Sequence, residues 1–271
     1  MTTGRRTVDI GGGERISYRE RGDGPPLVLL HGIGSLSDSW TAQVEAFSAD
    51  FRVIAWDAPG YGDSTRLRPA APAATDYADR LVRMIDKLAV ERCHLVGHSL
   101  GGLMAAAFVR LAPERLLSLT LADCAAGHGM LDPTVRDHKL QHRLRDVHCL
   151  GLRGMAAQRA PRLVSENAPR EVIARIEAVM HMLHPDGYEQ AARMLAEANA
   201  FVDLAAADLP QRVLVLCGSE DRITSPDSNR RIAETIEGAR FELVEGAGHL
   251  SYIEQSAAFN AALRRFLMEM S

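Results

Sequence analysis

Gly97-His98-Ser99-Leu100-Gly101-Gly102 sets one serine between glycines with G-x-S-x-G spacing, at the end of the apolar run Cys93 to Gly97. A serine forced into a sharp strand-to-helix turn has its Oγ pushed outward, and only small neighbours let the helix come so close. The pattern is short, so its placement after a strand-like run carries the weight. A serine hydroxyl is a weak nucleophile near neutral pH; it needs a base, and the base needs an orienting acid. After such a turn the expected chain order is an acid and then a histidine. Asp221 follows the apolar run RVLVLC in GSEDR, and His249 follows RFELVE in GAGH. The carboxyl edge of an open α/β sheet is where functional groups gather. Asp123 ends another core strand and is the alternative acid. Asp57 ends a further one, but its setting in DAPGYGDS points to a turn organised by side-chain to backbone hydrogen bonds.

Hydrophobic periodicity supplies the elements that must hold these groups. Pro26 to Gly32, Arg52 to Asp57, Cys93 to Gly97 and Leu116 to Asp123 are apolar runs of strand length. Such runs suit strands buried on both faces, and therefore a mostly parallel sheet covered by helices. Asp76 to Leu88 carries Leu81, Ile85 and Leu88 on one helical stripe. Strand and helix alternate, which specifies an α/β fold. TVDIGGGERISYRE reads as an antiparallel hairpin at the sheet edge. From Cys124 to Asp208 only helical patterns appear, broken by Gly and Pro. The alternation then returns with strands Arg212 to Cys217 and Arg240 to Glu245, and helices Asp227 to Ile236 and Glu254 to Met268. The expected organisation is a sheet-based core of residues 1–123 and 209–271, interrupted by a helical cap at 124–208.

The 271 residues hold 31 Lys and Arg against 35 Asp and Glu, a net charge of −4, and are 46% hydrophobic. That apolar fraction excludes intrinsic disorder, and a weakly acidic chain lacks the cations for a global nucleic-acid role. No apolar run approaches the ~18 residues of a membrane span, so no membrane partner is expected. The start MTTGRRTVDI has no apolar h-region, and Cys93, Cys124, Cys149 and Cys217 show no CxxC spacing. Reduced thiols and a cytoplasmic location are the expectation. His138 and His142 share helical spacing, as do His181 and His184, but neither pair has a third ligand, so both read as solvated faces. Met155, Met180, Met182 and Met194 read as packing within the cap.

HGIG (His31 to Gly34), DAPGYGDS (Asp57 to Ser64), GHSLGG (Gly97 to Gly102), GSEDRITSP (Gly218 to Pro226) and GAGH (Gly246 to His249) span nearly the whole core. Together they resemble the α/β-hydrolase superfamily, in its lidded esterase, lactonase and C–C hydrolase group. The resemblance implies the α/β-hydrolase fold, with Ser99 as nucleophile, His249 as general base and acid, and Asp221 as orienting acid. It also implies an oxyanion hole from the backbone N–H groups of Ile33 and Leu100. The implied activity is serine hydrolysis of a small ester or lactone with no metal or organic cofactor; a homodimer is among the assembly options. Haloalkane dehalogenases and epoxide hydrolases carry Asp where this chain has Ser99. Meta-cleavage C–C hydrolases usually read GNSMGG at that turn, so C–C hydrolysis stands as the alternative reaction. A non-catalytic ligand-binding protein on the same fold is the alternative from another class. RAPRLVSENAP and HPDGYEQAARMLAEAN resemble the cap of 3-oxoadipate enol-lactonases, whose front loop commonly lacks the HG pair seen here. That likeness implies Arg162, or in second place Arg159, as the contact for an anionic substrate group.

Overall fold

The computed structural model describes residues 4–206, 209 and 212–269. Its strands are β1 (Arg6–Gly11), β2 (Glu14–Arg21), β3 (Pro26–Leu30), β4 (Arg52–Trp56), β5 (Cys93–His98), β6 (Leu116–Ala122), β7 (Val213–Gly218) and β8 (Arg240–Val244). They form one sheet in the order β1-β2-β4-β3-β5-β6-β7-β8. All pairs from β4 onward are parallel, and the β1–β2 hairpin joins antiparallel to β4 at one edge. Every residue of β5 and β7 is buried, as the unbroken apolar runs require of strands covered on both faces. This is the mostly parallel, helix-covered sheet that the alternation of strands and helices predicts.

The helices are α1 (Thr41–Phe47), α2 (Ala74–Lys87), α3 (Leu100–Leu111), α4 (Pro133–Arg159), α5 (Arg170–Met180), α6 (Pro185–Glu197), α7 (Ala200–Ala205), α8 (Pro226–Glu234), α9 (Ser251–Glu254) and α10 (Ser256–Met268). The amphipathic α2 buries Tyr77, Leu81, Met84 and Ile85. The last expected helix is α10, beginning at Ser256; the short α9 precedes it and is separated from it because Gln255 leaves helical geometry at φ −118° and ψ 51°. Between β6 and β7, α5 and α6 each pack on α4, while α7 packs on α3. The expected end of the cap at residue 208 lies outside the described residues. Gly151 bends α4 sharply, with φ 63° and ψ 177°.

Specific bonds seat these helices over the carboxyl edge of the sheet. Gln190 Nε2 donates to the carbonyls of Leu67 and Pro69 at 2.8 and 2.6 Å. The Leu250 N–H donates to the Leu163 carbonyl at 3.0 Å. Glu254 accepts from the N–H groups of Ser165 and Gly248, joining the cap to the loop that bears His249. Among the described residues no helix is long and apolar enough to cross a membrane.

Candidate active site

Ser99 stands between β5 and α3 with φ 52° and ψ −112°, a conformation L-residues rarely adopt. Such strain costs on the order of 1–3 kcal/mol and persists only where the surroundings over-determine it. Here the Ser99 N–H donates to the Ala122 carbonyl at 2.9 Å, and its own carbonyl accepts from Gly102 and Ala125 at 3.0 and 3.2 Å. The flanking glycines are steric requirements. A Cβ on Gly97 would lie 2.4 Å from the Gly101 carbonyl oxygen, and one on Gly101 would lie 2.3 Å from that of Leu30.

The loops after β7 and β8 bring the other two residues to this turn. The Ser99 hydroxyl donates to His249 Nε2 at 2.9 Å, and His249 Nδ1 donates to Asp221 Oδ2 at 2.9 Å. All three side chains are buried. Asp221 Oδ1 accepts from the N–H groups of Ile223 and Thr224 at 2.7 and 2.9 Å, and Oδ2 also accepts the Thr224 hydroxyl at 2.7 Å. Burial alone would raise the Asp221 pKa, but the His249 charge and these donors bring it below the usual carboxylate value. Burial opposes charge on His249, and the Asp221 carboxylate outweighs it, so the imidazole titrates above its ordinary value. His98 supports this arrangement from within the serine motif. Its Nε2 donates to the His249 carbonyl at 2.8 Å, and burial, then the charge of His249, pull it down to about 3.

Ile33 and Leu100 line the same cavity as Ser99. Leu100 opens α3, so its N–H belongs to the first turn and has no acceptor within the helix. The Ile33 N–H is oriented by a histidine that sequence reasoning left without a role. His31 Nε2 accepts the Ala58 N–H at 3.0 Å, so the ring proton is on Nδ1, which donates to the Gly32 carbonyl at 2.8 Å. The Gly32 carbonyl and Ile33 N–H are opposite ends of one planar peptide, so holding the first sets the second. The Ser35 N–H shares that carbonyl at 3.1 Å. His31→Ala is therefore expected to lower kcat about 10- to 100-fold, less than outright loss of an oxyanion donor, because Ser35 remains. Steady-state kinetics on a neutral ester, with circular dichroism as the folding control, checks this.

Asp123 is equally buried, but its hydrogen bonds go elsewhere than to the imidazole. Its Oδ1 accepts the Gly218 N–H at 2.8 Å, and its Oδ2 accepts the Ser251 hydroxyl. Burial, then the charge of Asp221, pushes its pKa up to about 8. Asp57 holds a turn: it accepts the Ser37 N–H at 2.8 Å and the Ser17 hydroxyl at 2.7 Å, and pairs with Arg5 at 2.9 Å. Asp123, Cys217 and Asp221 lie within 4.8 Å of one another, the one such group among the described residues. Their carboxylate oxygens already accept protein donors, and burial pushes the Cys217 thiol well up, so the trio is poorly suited to hold a cation.

A cavity of about 410 Å³ opens over Ser99 and His249 beneath the cap. Arg162 does not line it; it sits exposed on the short turn after α4. Arg159 lines it and is paired to Asp146 at 2.6 Å. Arg143, which sequence reasoning missed, also lines it. The reason lies in α4: with a weakly amphipathic sequence and a bend at Gly151, its inward face is not readable from residue spacing.

The family model for the alpha/beta hydrolase fold matches residues 25–256. A thermophilic esterase from Thermogutta terrifontis, solved with malate bound, superposes with a TM-score of 0.87 at 30% identity, covering 98% of this chain and 99% of its own. The enol-lactonase of Burkholderia xenovorans LB400 superposes with a TM-score of 0.86 at 26% identity, covering 97% of this chain and all (100%) of its own. Among curated proteins, one named for carbamate hydrolysis, RutD of Pseudomonas syringae pv. syringae, is 27% identical over 252 residues, 92% of this chain and 95% of its own.

Proposed function

The chain belongs to the alpha/beta hydrolase fold family, and from that premise we propose that it is a serine hydrolase of small carboxylic esters or lactones. The observation that carries the reading is the continuous relay from Asp221 through His249 to Ser99, 2.9 Å at each step, opening on a cavity with backbone donors. Ser99 Oγ attacks the carbonyl carbon as His249 Nε2 takes its proton. The negative charge that develops on the carbonyl oxygen is met by the N–H groups of Ile33 and Leu100. As the C–O bond to the alcohol breaks, the imidazolium returns that proton to the leaving oxygen, and an acyl-enzyme remains on Ser99. Water, deprotonated by His249, then releases the acid and restores the serine. For a lactone the alcohol stays tethered to the acyl group, and the product is a hydroxy acid.

A cavity of about 410 Å³ is at the small end of the roughly 300–1,000 Å³ usual for small-molecule sites, which favours short acyl chains. The likeness to the Thermogutta esterase and the Burkholderia enol-lactonase supports ester and lactone chemistry. Hydrolysis of p-nitrophenyl esters from acetate to octanoate, together with four- to six-membered lactones, tests the reading. The expected result is turnover that peaks at short chains and an acyl adduct on Ser99 by mass spectrometry. No turnover of any ester or lactone, with bleaching of a dienoate ring-cleavage product instead, would move the assignment to C–C hydrolysis.

A further inference from the structure

His249 stands on an irregular loop between β8 and α9, and β8 is the last strand of the sheet, paired with β7. An edge strand gives such a loop little lateral support, so the backbone around the histidine needs other anchors. The Gly248 N–H donates to Glu254 Oε2 at 2.8 Å, the Leu250 N–H donates to the Leu163 carbonyl at 3.0 Å, and the His249 carbonyl accepts from His98. The first two of these lead to the cap. Leu163 belongs to it directly. Glu254 reaches it through Ser165, accepting that residue's N–H at 3.1 Å on both carboxylate oxygens and its hydroxyl on Oε1. The same stretch of cap lies hard against the loop: a Cβ on Gly248 would come within 2.4 Å of the Val164 carbonyl carbon and 2.7 Å of the Ser165 nitrogen. Val164 and Ser165 are buried there. Glu166, the next residue, pairs with Arg222 beside Asp221 at 2.6 Å, but both are largely exposed, so that pair adds little.

A carboxylate makes shorter hydrogen bonds than a neutral acceptor, roughly twice as strong, and Glu254 commits both oxygens to joining these two segments. We propose that Glu254 is the positioning residue for His249: by clamping Gly248 to Ser165 it makes the cap part of the frame that aims the imidazole. The inference rests on the reading of Ser99 as nucleophile and His249 as its base, and deepens it. Glu254 touches no reacting atom and acts through the backbone beside the histidine. The imidazole must meet Ser99 on one side and Asp221 on the other, each at 2.9 Å, so its tolerance is small. A displacement of about 1 Å can cost on the order of 10²-fold in rate. Without Glu254 the loop keeps the His98 and Leu163 bonds, so the expected loss is about 10- to 100-fold. It falls on kcat and not on KM, because Glu254 does not line the cavity.

The test compares three substitutions on the best p-nitrophenyl ester. Glu254→Gln keeps the reach and removes the charge: its amide oxygen can accept from Gly248 and Ser165, and its NH₂ can donate to the Ser165 hydroxyl once that hydroxyl turns to accept. Glu254→Asp keeps the charge but is one methylene short of holding both segments. Glu254→Ala removes the clamp. Relative to wild type, kcat should stay within about threefold in Glu254→Gln, fall about tenfold in Glu254→Asp and about 10- to 100-fold in Glu254→Ala, with KM within about threefold throughout. Gln190→Ala breaks the cap's bonds to Leu67 and Pro69, which touch neither catalytic loop, and should leave kcat within about threefold. A second readout needs no turnover. The His249 Nδ1 proton, held against Asp221, should give a low-field proton NMR signal, assigned by its loss in His249→Gln. It should persist in Glu254→Gln and Gln190→Ala, and broaden or disappear in Glu254→Asp and Glu254→Ala. The proposal is overturned if Glu254→Asp and Glu254→Ala keep kcat within about threefold of wild type, if the loss is carried in KM, if Gln190→Ala loses as much, or if the signal is the same in all four variants. A wild-type protein that turns over no ester or lactone would remove the hydrolase reading alone, and the proton signal would then decide the role of Glu254.

Discussion

Ser99→Ala is expected to remain folded and to lose ester hydrolysis by about 10⁴- to 10⁶-fold, because removing the attacking atom leaves only what the oxyanion donors and binding supply. The substitution deletes one oxygen and keeps the Cβ. The backbone at φ 52° is strained to the same degree in both proteins, and the Ala122, Gly102 and Ala125 bonds that hold it are main-chain. His249 loses its 2.9 Å contact with Oγ but keeps its bond to Asp221 and the His98 clamp on its carbonyl. The melting temperature should therefore stay within about 2 °C of wild type, inside the ±0.5 kcal/mol usual for changes that create no cavity or buried orphan. Initial rates on the best p-nitrophenyl ester, with thermal melts on the same preparations, measure both quantities. Activity within 100-fold of wild type would mean that another group attacks the carbonyl.

A paired substitution separates the two buried acids. In Asp221→Asn the amide oxygen must take the place of Oδ1, which accepts from Ile223 and Thr224. The NH₂ then occupies the place of Oδ2 and faces His249 Nδ1, 2.9 Å away. A donor there forces the ring proton onto Nε2, where it faces Ser99 and cannot take the serine's proton. The expected loss is about 10⁴-fold in kcat, the scale associated with the wrong imidazole tautomer. In Asp123→Asn the amide oxygen can accept from Gly218, and the NH₂ can donate to the Ser251 hydroxyl once that hydroxyl rotates from donor to acceptor, so both contacts can be kept. Asn also tolerates φ near the 44° found at Asp123. Because Asp123 makes no hydrogen bond to His249 and burial already disfavours its charged form, activity should stay within about tenfold.

The pH profile gives the same pair a second readout. His249 must be neutral to act as base, and the Asp221 carboxylate holds its pKa above the ordinary histidine value of 6.5. The acid limb of kcat/KM is therefore expected above that value in the wild-type protein, with activity falling as pH drops through it. Without the carboxylate the residual activity of Asp221→Asn should show its limb displaced to lower pH. A limb that moves in Asp123→Asn and stays in Asp221→Asn would transfer the orienting role to Asp123.

Much of this protein was legible in the sequence because the relevant physics is local. The turn at Ser99 follows from small residues at 97, 101 and 102 between an apolar strand and an apolar helix. Apolar runs mark the central strands β3 to β7, and the alternating runs around Gly11 to Gly13 mark the edge hairpin. Those two patterns are enough to put Ser99, Asp123, Asp221 and His249 at one edge of the sheet. What separates Asp221 from Asp123 is not in either residue's neighbourhood along the chain. It is the path of the loop after β7, stapled by Ile223 and Thr224, which aims one carboxylate at a histidine that arrives from the end of β8. His31 likewise acquires its role only through Ala58 and Gly32, once β3 and β4 lie side by side.

The cap shows the contrast most sharply. Arg143, Arg159 and Arg162 are equivalent as letters: the first two lie on a helix with little amphipathic pattern to say which side faces inward, and the third on the turn that follows it. Tertiary packing decides: the α4–α6 contact turns Arg143 onto Tyr188 and into the cavity, the ion pair with Asp146 occupies Arg159, and Arg162 is left in solvent. Periodicity and backbone sterics act between near neighbours and so are written in the residue order. The direction of a polar side chain is set by partners far along the chain, and those exist only after the elements have packed.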